Sequence, residues 1–446
     1  MVSGLWPDDW RCQRLDSDVR ALSLVSRGRA WGLTALATLA LAVTLVDRQA
    51  LSALAETVTD SLGISDVGYG WLSSGFAAAY LVGSLPFAQL IQRIGPRFGL
   101  VLTLTLSSVV VGLHAFVPGF FSLLALRVAL GIAVAPSFAC ATQTVHRVLP
   151  FKHRARAIGI LYLGNSVGSS ICPPLAVALE HQLGWRDAFM TIAVMGLALV
   201  PLWLLLAFTG RDRPAFDAPS IPMGGLKTLS PFRPKPDSIF TLVRDPRVLR
   251  GSFVVAAAAP VTTVMLLWGS KYLIRDHGLR QEDIGHYLWL PALMFGLGSM
   301  GFGELRARST RTRASTRPPR GLVAAAGLLC TLFAVVPFMN GPWPCILIAS
   351  LSMAGAGGLY SLATSDMLAH AGRGTIPATT GLTTFTQSLV YILVSPIIGN
   401  VVVRSGSYDW VMIGAGLWAI PGCLYWLIAA SKDRRGVAAS RPSSSG

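Results

Sequence analysis

Asp47 and Arg48 stand side by side in the first long apolar stretch of this 446-residue chain, and Arg127 stands inside the fourth. A charge at the centre of a bilayer costs about 2.5–3.5 kcal/mol on insertion scales, so an intramembrane acid and two bases imply a water-filled cavity or buried partners. The chemistry such a set offers is anion recognition, because an arginine grips a carboxylate in a bidentate, charge-assisted fork that lysine does not reproduce. Depth arithmetic allows the three to meet. Asp47 lies about 24 Å along its helix from Trp31, roughly 12 Å short of the far end near Ala55, and Arg127 lies roughly 9 Å below Phe121, where an antiparallel fourth helix begins. Neighbours on a helix point about 100° apart, so Asp47 and Arg48 cannot both face Arg127. The expected arrangement is an Asp47–Arg127 ion pair with Arg48 facing the cavity; a closed structural network of all three is the alternative.

Four further polar residues sit at intermediate depth: Tyr80, Asn165, Gln387 and Tyr391. Each offers hydrogen bonds to hydroxyl or carboxylate oxygens, although polar side chains in spans also serve simply to bond across helices. Lys271 falls about 30 Å along its helix from Gly251, at the outer rim, where snorkelling to lipid headgroups and an outer-gate role are both open. Asp366 and His370 lie near an inner helix end and read as loop-solvated. Gly164 and Gly168, spaced as GxxxG, are close-packing positions. Trp71, Trp185, Trp343 and Trp410 fit an aromatic belt.

The elements that must position these residues follow from composition. The chain is 52% hydrophobic and only 13% charged, against about 25% charged for a soluble chain, and its mean hydropathy is +0.57. The expected fold is an all-α membrane protein with spans at 30–54, 68–91, 98–117, 120–146, 157–179, 187–208, 249–273, 284–305, 321–338, 343–368, 375–403 and 409–430. This divides the chain into a cytoplasmic tail (1–29), a six-helix half (30–208), a Pro- and Arg-rich cytoplasmic linker (209–248), a second half (249–430) and a cytoplasmic tail (431–446). The halves echo each other: Leu62-Gly63-Ile64-Ser65 parallels His277-Gly278-Leu279-Arg280, Leu85-Pro86 parallels Leu290-Pro291, and Pro173-Pro174 parallels Ser395-Pro396. A parallel duplication with the site between halves is the pattern of a secondary transporter.

Charge sets the orientation. Of the 37 Lys and Arg, Arg186, Arg275, Arg280 and Arg404 fall in outer loops and Arg48, Arg127 and Lys271 within spans, which leaves the rest cytoplasmic, Arg250 at the inner end of the seventh span among them, if both termini are inside. The net charge of +16 is therefore a positive-inside signature on loops that touch anionic lipid, and not a nucleic-acid footprint. The first 29 residues carry no cleavable signal. Cys140, Cys172, Cys330, Cys345 and Cys423 are single core residues without ligand spacing. Metal-ligand spacing, nucleophile motifs and nucleotide loops are all lacking, so neither an enzyme nor a cofactor is expected.

Asp47-Arg48 with Leu51-Ser52, Gly63-Ile64-Ser65, Phe76-Ala77-Ala78-Ala79-Tyr80, Gly131-Ile132 with Ala135-Pro136, Gly184-Trp185-Arg186, Lys271-Tyr272-Leu273, Trp289-Leu290-Pro291 and the Gly381–Pro396 stretch together resemble the anion:cation symporter family of the major facilitator superfamily, above all its hexuronate and sugar-acid porters. The resemblance runs from about residue 30 to 430. It implies the major facilitator fold and alternating access, with Arg48 and Tyr80 on a carboxylated substrate, Asp47 paired to Arg127, and Arg93, Gly95 and Arg97 in the cytoplasmic gating loop. Three departures stand out: Val134 occupies the position of the family's acid in the fourth helix, Ala88 and Gln92 replace Gly and Asp of the gating motif, and Gly269-Ser270 replaces Leu-Pro before Lys271. Val134 shares a helical face with Arg127 and Gly131 and is expected to line or adjoin the cavity, where valine cannot carry a proton. The resulting expectation is a monomeric inner-membrane carrier of a sugar acid such as a hexuronate or aldonate, in contact with lipid, with the proton a candidate coupling ion. A drug-efflux antiporter and a non-transporting sugar-acid sensor are the alternatives.

Overall fold

The computed structural model describes residues 26–209, 245–312, 320–370 and 376–439. Residues 210–244 of the expected linker, and 1–25 and 440–446 of the expected tails, lie outside the described residues. Among the described residues the chain forms twelve long helices and no strand. They are α1 Arg27–Ala53, α2 Asp66–Ile94, α3 Pro96–Phe116, α4 Phe120–Val148, α5 Phe151–Leu183, α6 Trp185–Phe208, α7 Val248–His277, α8 Gly285–Thr312, α9 Arg320–Phe338, α10 Pro342–His370, α11 Ile376–Ser405 and α12 Asp409–Ala429. Eleven are long and apolar enough to cross a membrane. The remaining one, α2, has 29 residues with its charges, Asp66 and Arg93, at opposite ends.

Interruptions fall where backbone chemistry requires them. Proline lacks an amide N–H, and α4 breaks before Pro136 and resumes as Ser137–Val148. In α7 the turn Val264–Trp268 is a π-helix, a widened turn that frees backbone carbonyls and is often found at functional positions. Gly63 (φ +62°) and Gly278 (φ +64°) hold left-handed turns in equivalent places before α2 and α8, a conformation that glycine adopts without a Cβ penalty.

Packing repeats with a shift of six helices. The pairs α1–α5, α2–α4 and α3–α6 have counterparts in α7–α11, α8–α10 and α9–α12, while α2–α11 and α5–α8 join the two sets. Glycines set the closest crossings. A Cβ on Gly168 of α5 would stand 2.5 Å from the Ala42 carbonyl oxygen of α1, so the GxxxG face is the α1–α5 seam. Between the sets, a Cβ on Gly70 of α2 would stand 2.8 Å from Pro396 Cα of α11, and one on Gly285 of α8 would stand 2.8 Å from Pro174 Cα of α5. These two crossings are the same glycine-on-proline contact related by the internal repeat. The core follows from this: one apolar cluster runs from Val46 and Leu51 through Phe76 and Trp268 to Trp426, crossing between the sets.

Overpacking a tight crossing costs about 1–3 kcal/mol. Gly168→Ala is expected to lower the melting midpoint in detergent by a few degrees, whereas Gly159→Ala, whose Cβ meets nothing within 4 Å, leaves it unchanged. Equal midpoints for the two variants would contradict this packing of α1 on α5.

Candidate functional site

The first group of functional side chains is built by α1, α2 and α4. Arg48 projects from α1 onto two aromatic rings of α2, with its guanidinium carbon 5.3 Å from the Phe76 centroid and 5.2 Å from that of Tyr80. Those rings stack on each other at 6.3 Å and 17° because they are four residues apart on one helical face. Arg127 also lies over the Phe76 ring, at 4.7 Å, and donates from Nη1 to the Arg48 carbonyl oxygen at 3.3 Å. Close approach of α4 to α2 is permitted by Gly131, where a Cβ would meet the Phe76 carbonyl oxygen at 2.5 Å. Among the described residues, no carboxylate pairs with either arginine.

The expected Asp47–Arg127 ion pair is therefore not formed. Asp47 is 1% exposed and turns to α3, where the Ser107 hydroxyl donates to Oδ2 at 2.7 Å while Oδ1 has no hydrogen-bond partner. The reason is the 100° step between neighbours: the face of α1 that meets α2 and α4 belongs to Arg48, and Asp47 is left on the side of α3 and α5. Val134 is 2% exposed and belongs, with Phe76 and Leu130, to the main apolar cluster. Asn165 of α5 is half-buried, with its Oδ1 enclosed and lacking a hydrogen-bond partner.

The second group lies on the other set of helices. Gln387 of α11 donates from Nε2 to the Tyr391 hydroxyl at 3.1 Å, Tyr391 donates to Thr262 Oγ1 of α7 at 3.0 Å, and Thr262 donates to the Ala259 carbonyl at 2.8 Å. Tyr391 and Ala259 pack on Ala77 of α2, the residue between the two rings that hold Arg48. The Gln387 relay thus lies against α2, the helix that carries the two rings over which Arg48 sits.

A third group joins the two sets of helices on the side of the bundle opposite the amino terminus, called distal here. Lys271 does not snorkel. It is 0% exposed, donates to Glu56 Oε2 at 2.6 Å and Thr59 Oγ1 at 2.7 Å, and lies 3.2 Å from Asp66 Oδ1. Arg275, one turn on, donates to Glu56 Oε1 at 2.8 Å and pairs with Asp66. Two acids of the first set of helices thus hold two bases of the second. Ser270 and Gln281 both donate to the Ala53 carbonyl, at 3.0 and 2.9 Å, and the Tyr69 hydroxyl donates to the Leu267 carbonyl in the π turn at 2.5 Å. A small cleft beneath this closure is lined by Gln49, Ser52, Ser169 and Ser270 among others, with Gln49 donating to Ser169 Oγ at 3.1 Å.

On the proximal side, Arg93 is exposed, Gly95 turns at φ +84°, and Arg97 is buried against α6, with its guanidinium carbon 4.3 Å from the Phe208 centroid and its carbonyl accepting from Trp203 Nε1 at 3.0 Å. Asp366, read from the sequence as loop-solvated, is 0% exposed and accepts from Arg250 Nη2 and Trp426 Nε1, each at 2.9 Å. Trp185 is likewise buried under Arg186 rather than in a belt, unlike exposed Trp71, Trp343 and Trp410. Glu56, Asp66, Arg275, Ser107 and Thr262 are functional candidates that the sequence reading missed. The one signal for the distal group was the clustering of opposite charges at the ends of the first, second and seventh spans.

The Major Facilitator Superfamily profile matches residues 37–393. Similar proteins include the probable galactarate/D-glucarate transporter GudP of Bacillus subtilis (strain 168), 26% identical over 91% of this chain and 92% of that protein. The probable L-galactonate transporter of Escherichia coli (strain K12) is 24% identical over 70% of this chain and 69% of that protein. The hexuronate transporter of Bacillus subtilis (strain 168) is 26% identical over 58% of this chain and 61% of that protein. In fold, the chain is similar to the inward-facing, unoccupied crystal structure of a bacterial homologue of the human lysosomal transporter Spinster, with a TM-score of 0.73, 18% identity, and coverage of 91% of this chain and 98% of that one.

Removing one member of a buried charge group strands its partners at a cost of about 3–5 kcal/mol. Lys271→Met should therefore sharply reduce the yield of folded protein, and Glu56→Gln added to it should restore part of the loss. A double-mutant cycle in which the two losses simply add would show that these side chains do not interact.

Proposed function

The chain belongs to the Major Facilitator Superfamily, and from that membership we propose that it carries a sugar acid across the bacterial inner membrane by alternating access of two six-helix halves, 30–208 and 249–430, joined by the linker 209–248. It is a multi-pass membrane transporter and not an enzyme. In the proposed orientation both termini and the linker are cytoplasmic, so the distal side is periplasmic, and the carrier works as a monomer in contact with lipid. The observation that carries the reading is Arg48: a guanidinium at mid-span, held by two aromatic faces and left without a carboxylate partner. A cation placed there lacks its counter-ion until an anion arrives, and the aromatic rings fix its plane for bidentate capture of a carboxylate. Tyr80 and Asn165 on one side, and Gln387 and Tyr391 on the other, supply the remaining hydrogen bonds to substrate. The names of the similar porters, for galactarate, D-glucarate, L-galactonate and hexuronate, point to the same class of anion.

With Lys271 and Arg275 locked to Glu56 and Asp66, this state is closed to the periplasm, and the lattice is the outer gate. Arg93, Gly95 and Arg97 belong to the inner gating loop. Asp47 is the proton site. Its one hydroxyl partner and its open Oδ1 leave a charge that no arginine neutralises, so a proton taken up from the periplasm with substrate would remove a buried charge before the carrier turns inward. Val134 belongs to the apolar cluster and takes no part in this step.

Two measurements test the proposal with purified protein in liposomes. Arg48→Lys should lose most sugar-acid uptake while the folded yield is unchanged; uptake equal to wild type across a panel of sugar acids would overturn the role of Arg48. Substrate entry without an imposed pH gradient should alkalinise the outside for wild type and not for Asp47→Asn, which should still exchange substrate. Alkalinisation that persists in Asp47→Asn would place the proton elsewhere.

A further inference from the structure

Lys271 and Arg275 stand one turn apart on one face of α7 and hold two carboxylates in the same way. Glu56 turns Oε2 to Lys271 Nζ at 2.6 Å and Oε1 to Arg275 Nε at 2.8 Å. Asp66 turns Oδ1 to Lys271 Nζ at 3.2 Å and Oδ2 to Arg275 Nη1. Each carboxylate thus bridges both cations, one oxygen on each, and Lys271 also donates to the Thr59 hydroxyl at 2.7 Å. Both bases belong to the second half, and Glu56, Thr59 and Asp66 all belong to the first. The Lys271 side chain is 0% exposed and that of Arg275 34%, so Arg275 is the member an arriving anion meets first.

When the halves part on the distal side, the two acids leave with the first half and the two cations stay together on α7. Lys271 then needs new compensation, because Ser270, Tyr272 and Leu273 beside it are buried as well. We propose that Lys271 and Arg275 form a first binding station for the incoming substrate, a two-cation clamp that takes a sugar-acid carboxylate in place of Glu56 and Asp66. This rests on the sugar-acid and outer-gate reading above and adds a second site to it. The acids of the closed state show the pose: a carboxylate laid across both cations, one oxygen to each. An anion in that pose supplies the compensation that opening removes, so substrate stabilises the open gate. Closing returns Glu56 and Asp66 to the clamp, displaces the carboxylate, and leaves the substrate to move inward. The acids of the first half and the cargo are therefore competitors for one pair of cations.

A clamp and a simple lock differ in sign. If the lattice only locks the gate, Arg275→Gln and Asp66→Asn break the same pair and both favour the outward-open state, so both lower the half-saturating concentration for entry. In a clamp, Asp66→Asn removes a competitor and lowers that concentration, whereas Arg275→Gln removes a ligand and raises it. Neither substitution strands its partner, because Asp66 keeps Lys271 and Arg275 keeps Glu56. Entry of labelled L-galactonate, galacturonate and galactarate into right-side-out membrane vesicles is measured for wild type, and the compound carried best is then titrated on each variant. The expected result is a rise of roughly 5-fold for Arg275→Gln and a fall of roughly 2-fold for Asp66→Asn, the scale of one charge-assisted contact at a partly exposed cation. Arg280→Gln removes a distal charge that is 75% exposed and outside the clamp. It should leave the value unchanged, which separates contact from the general field of the entrance. Shifts of one sign for Arg275→Gln and Asp66→Asn, or a rise for Arg280→Gln that matches that of Arg275→Gln, would overturn the clamp and leave the sugar-acid reading intact. Entry of none of the three compounds by wild type would overturn both. If Arg275→Gln yields no folded protein, Arg275→Gln combined with Asp66→Asn removes the pair whole at unchanged net charge: a rise supports the clamp, and a fall or no change overturns it.

Discussion

A charge that cannot reach water must find its compensation inside the protein, and the arrangement of this molecule follows from how it meets that demand at three depths. At mid-span the compensation is incomplete: Arg48 and Arg127 both lie over one phenylalanine ring, Arg127 donates to the Arg48 backbone carbonyl, and Asp47, the acid nearest in sequence, is spent on Ser107. At the distal and proximal ends it is complete, with carboxylates on Lys271, Arg275 and Arg250. The contrast leaves uncompensated positive charge at mid-span. Had Asp47 closed on Arg127, the first half would have offered an anion far less.

As the proposed outer gate, the distal lattice would suit a seam that opens repeatedly. An apolar seam of the same area would be held by surface removed from water, and opening it would expose that surface each time. A buried ion pair behaves differently, since the desolvation it suffers on closing offsets much of its Coulomb gain, so the closed and open states stay near balance. Close backbone contact supplies the rest of the fit. Gly70 rests on Pro396 and Gly285 on Pro174, and the repeat maps one contact onto the other, so the two halves meet at two like crossings flanking the seam.

The twelve helices were legible from sequence because each is a long apolar run bounded by glycine, proline or charge, and the signal is local. The spans around Asn340-Gly341-Pro342 separated as expected, with α9 ending at Phe338 and α10 starting at Pro342. The pairing of charges was not legible. Whether Asp47 or Arg48 meets Arg127 depends on the rotation of α1 about its axis, and an error of one 100° step exchanges the roles of two adjacent residues. The role of Lys271 stayed open for another reason. Its acids lie on the other half of the molecule, on elements that close against α7 only in the folded chain, so depth alone could not choose between the headgroups and a gate. Asp366 hid in the same way, near a helix end by position yet enclosed by Arg250 and Trp426.

One element touches both the proposed anion site and the proposed gate. Helix α2 begins at Asp66 in the distal lattice, places Tyr69 on the π-turn carbonyl of Leu267 and Gly70 on Pro396, and then carries Phe76 and Tyr80 beneath Arg48. From Tyr69 to Tyr80 is about 16 Å of continuous helix. The widened turn in α7 matters here, because it frees the carbonyl that Tyr69 takes, just before the short helix Gly269–His277 that bears Lys271 and Arg275. An anion that moved Arg48 would change what lies on the Phe76 and Tyr80 rings, and those rings belong to the same helix that joins the proposed gate. A ligand biases an equilibrium only through interactions that differ between its states. In this molecule α2 makes both kinds of contact, distally to Arg275 and the Leu267 carbonyl and at mid-span to Arg48.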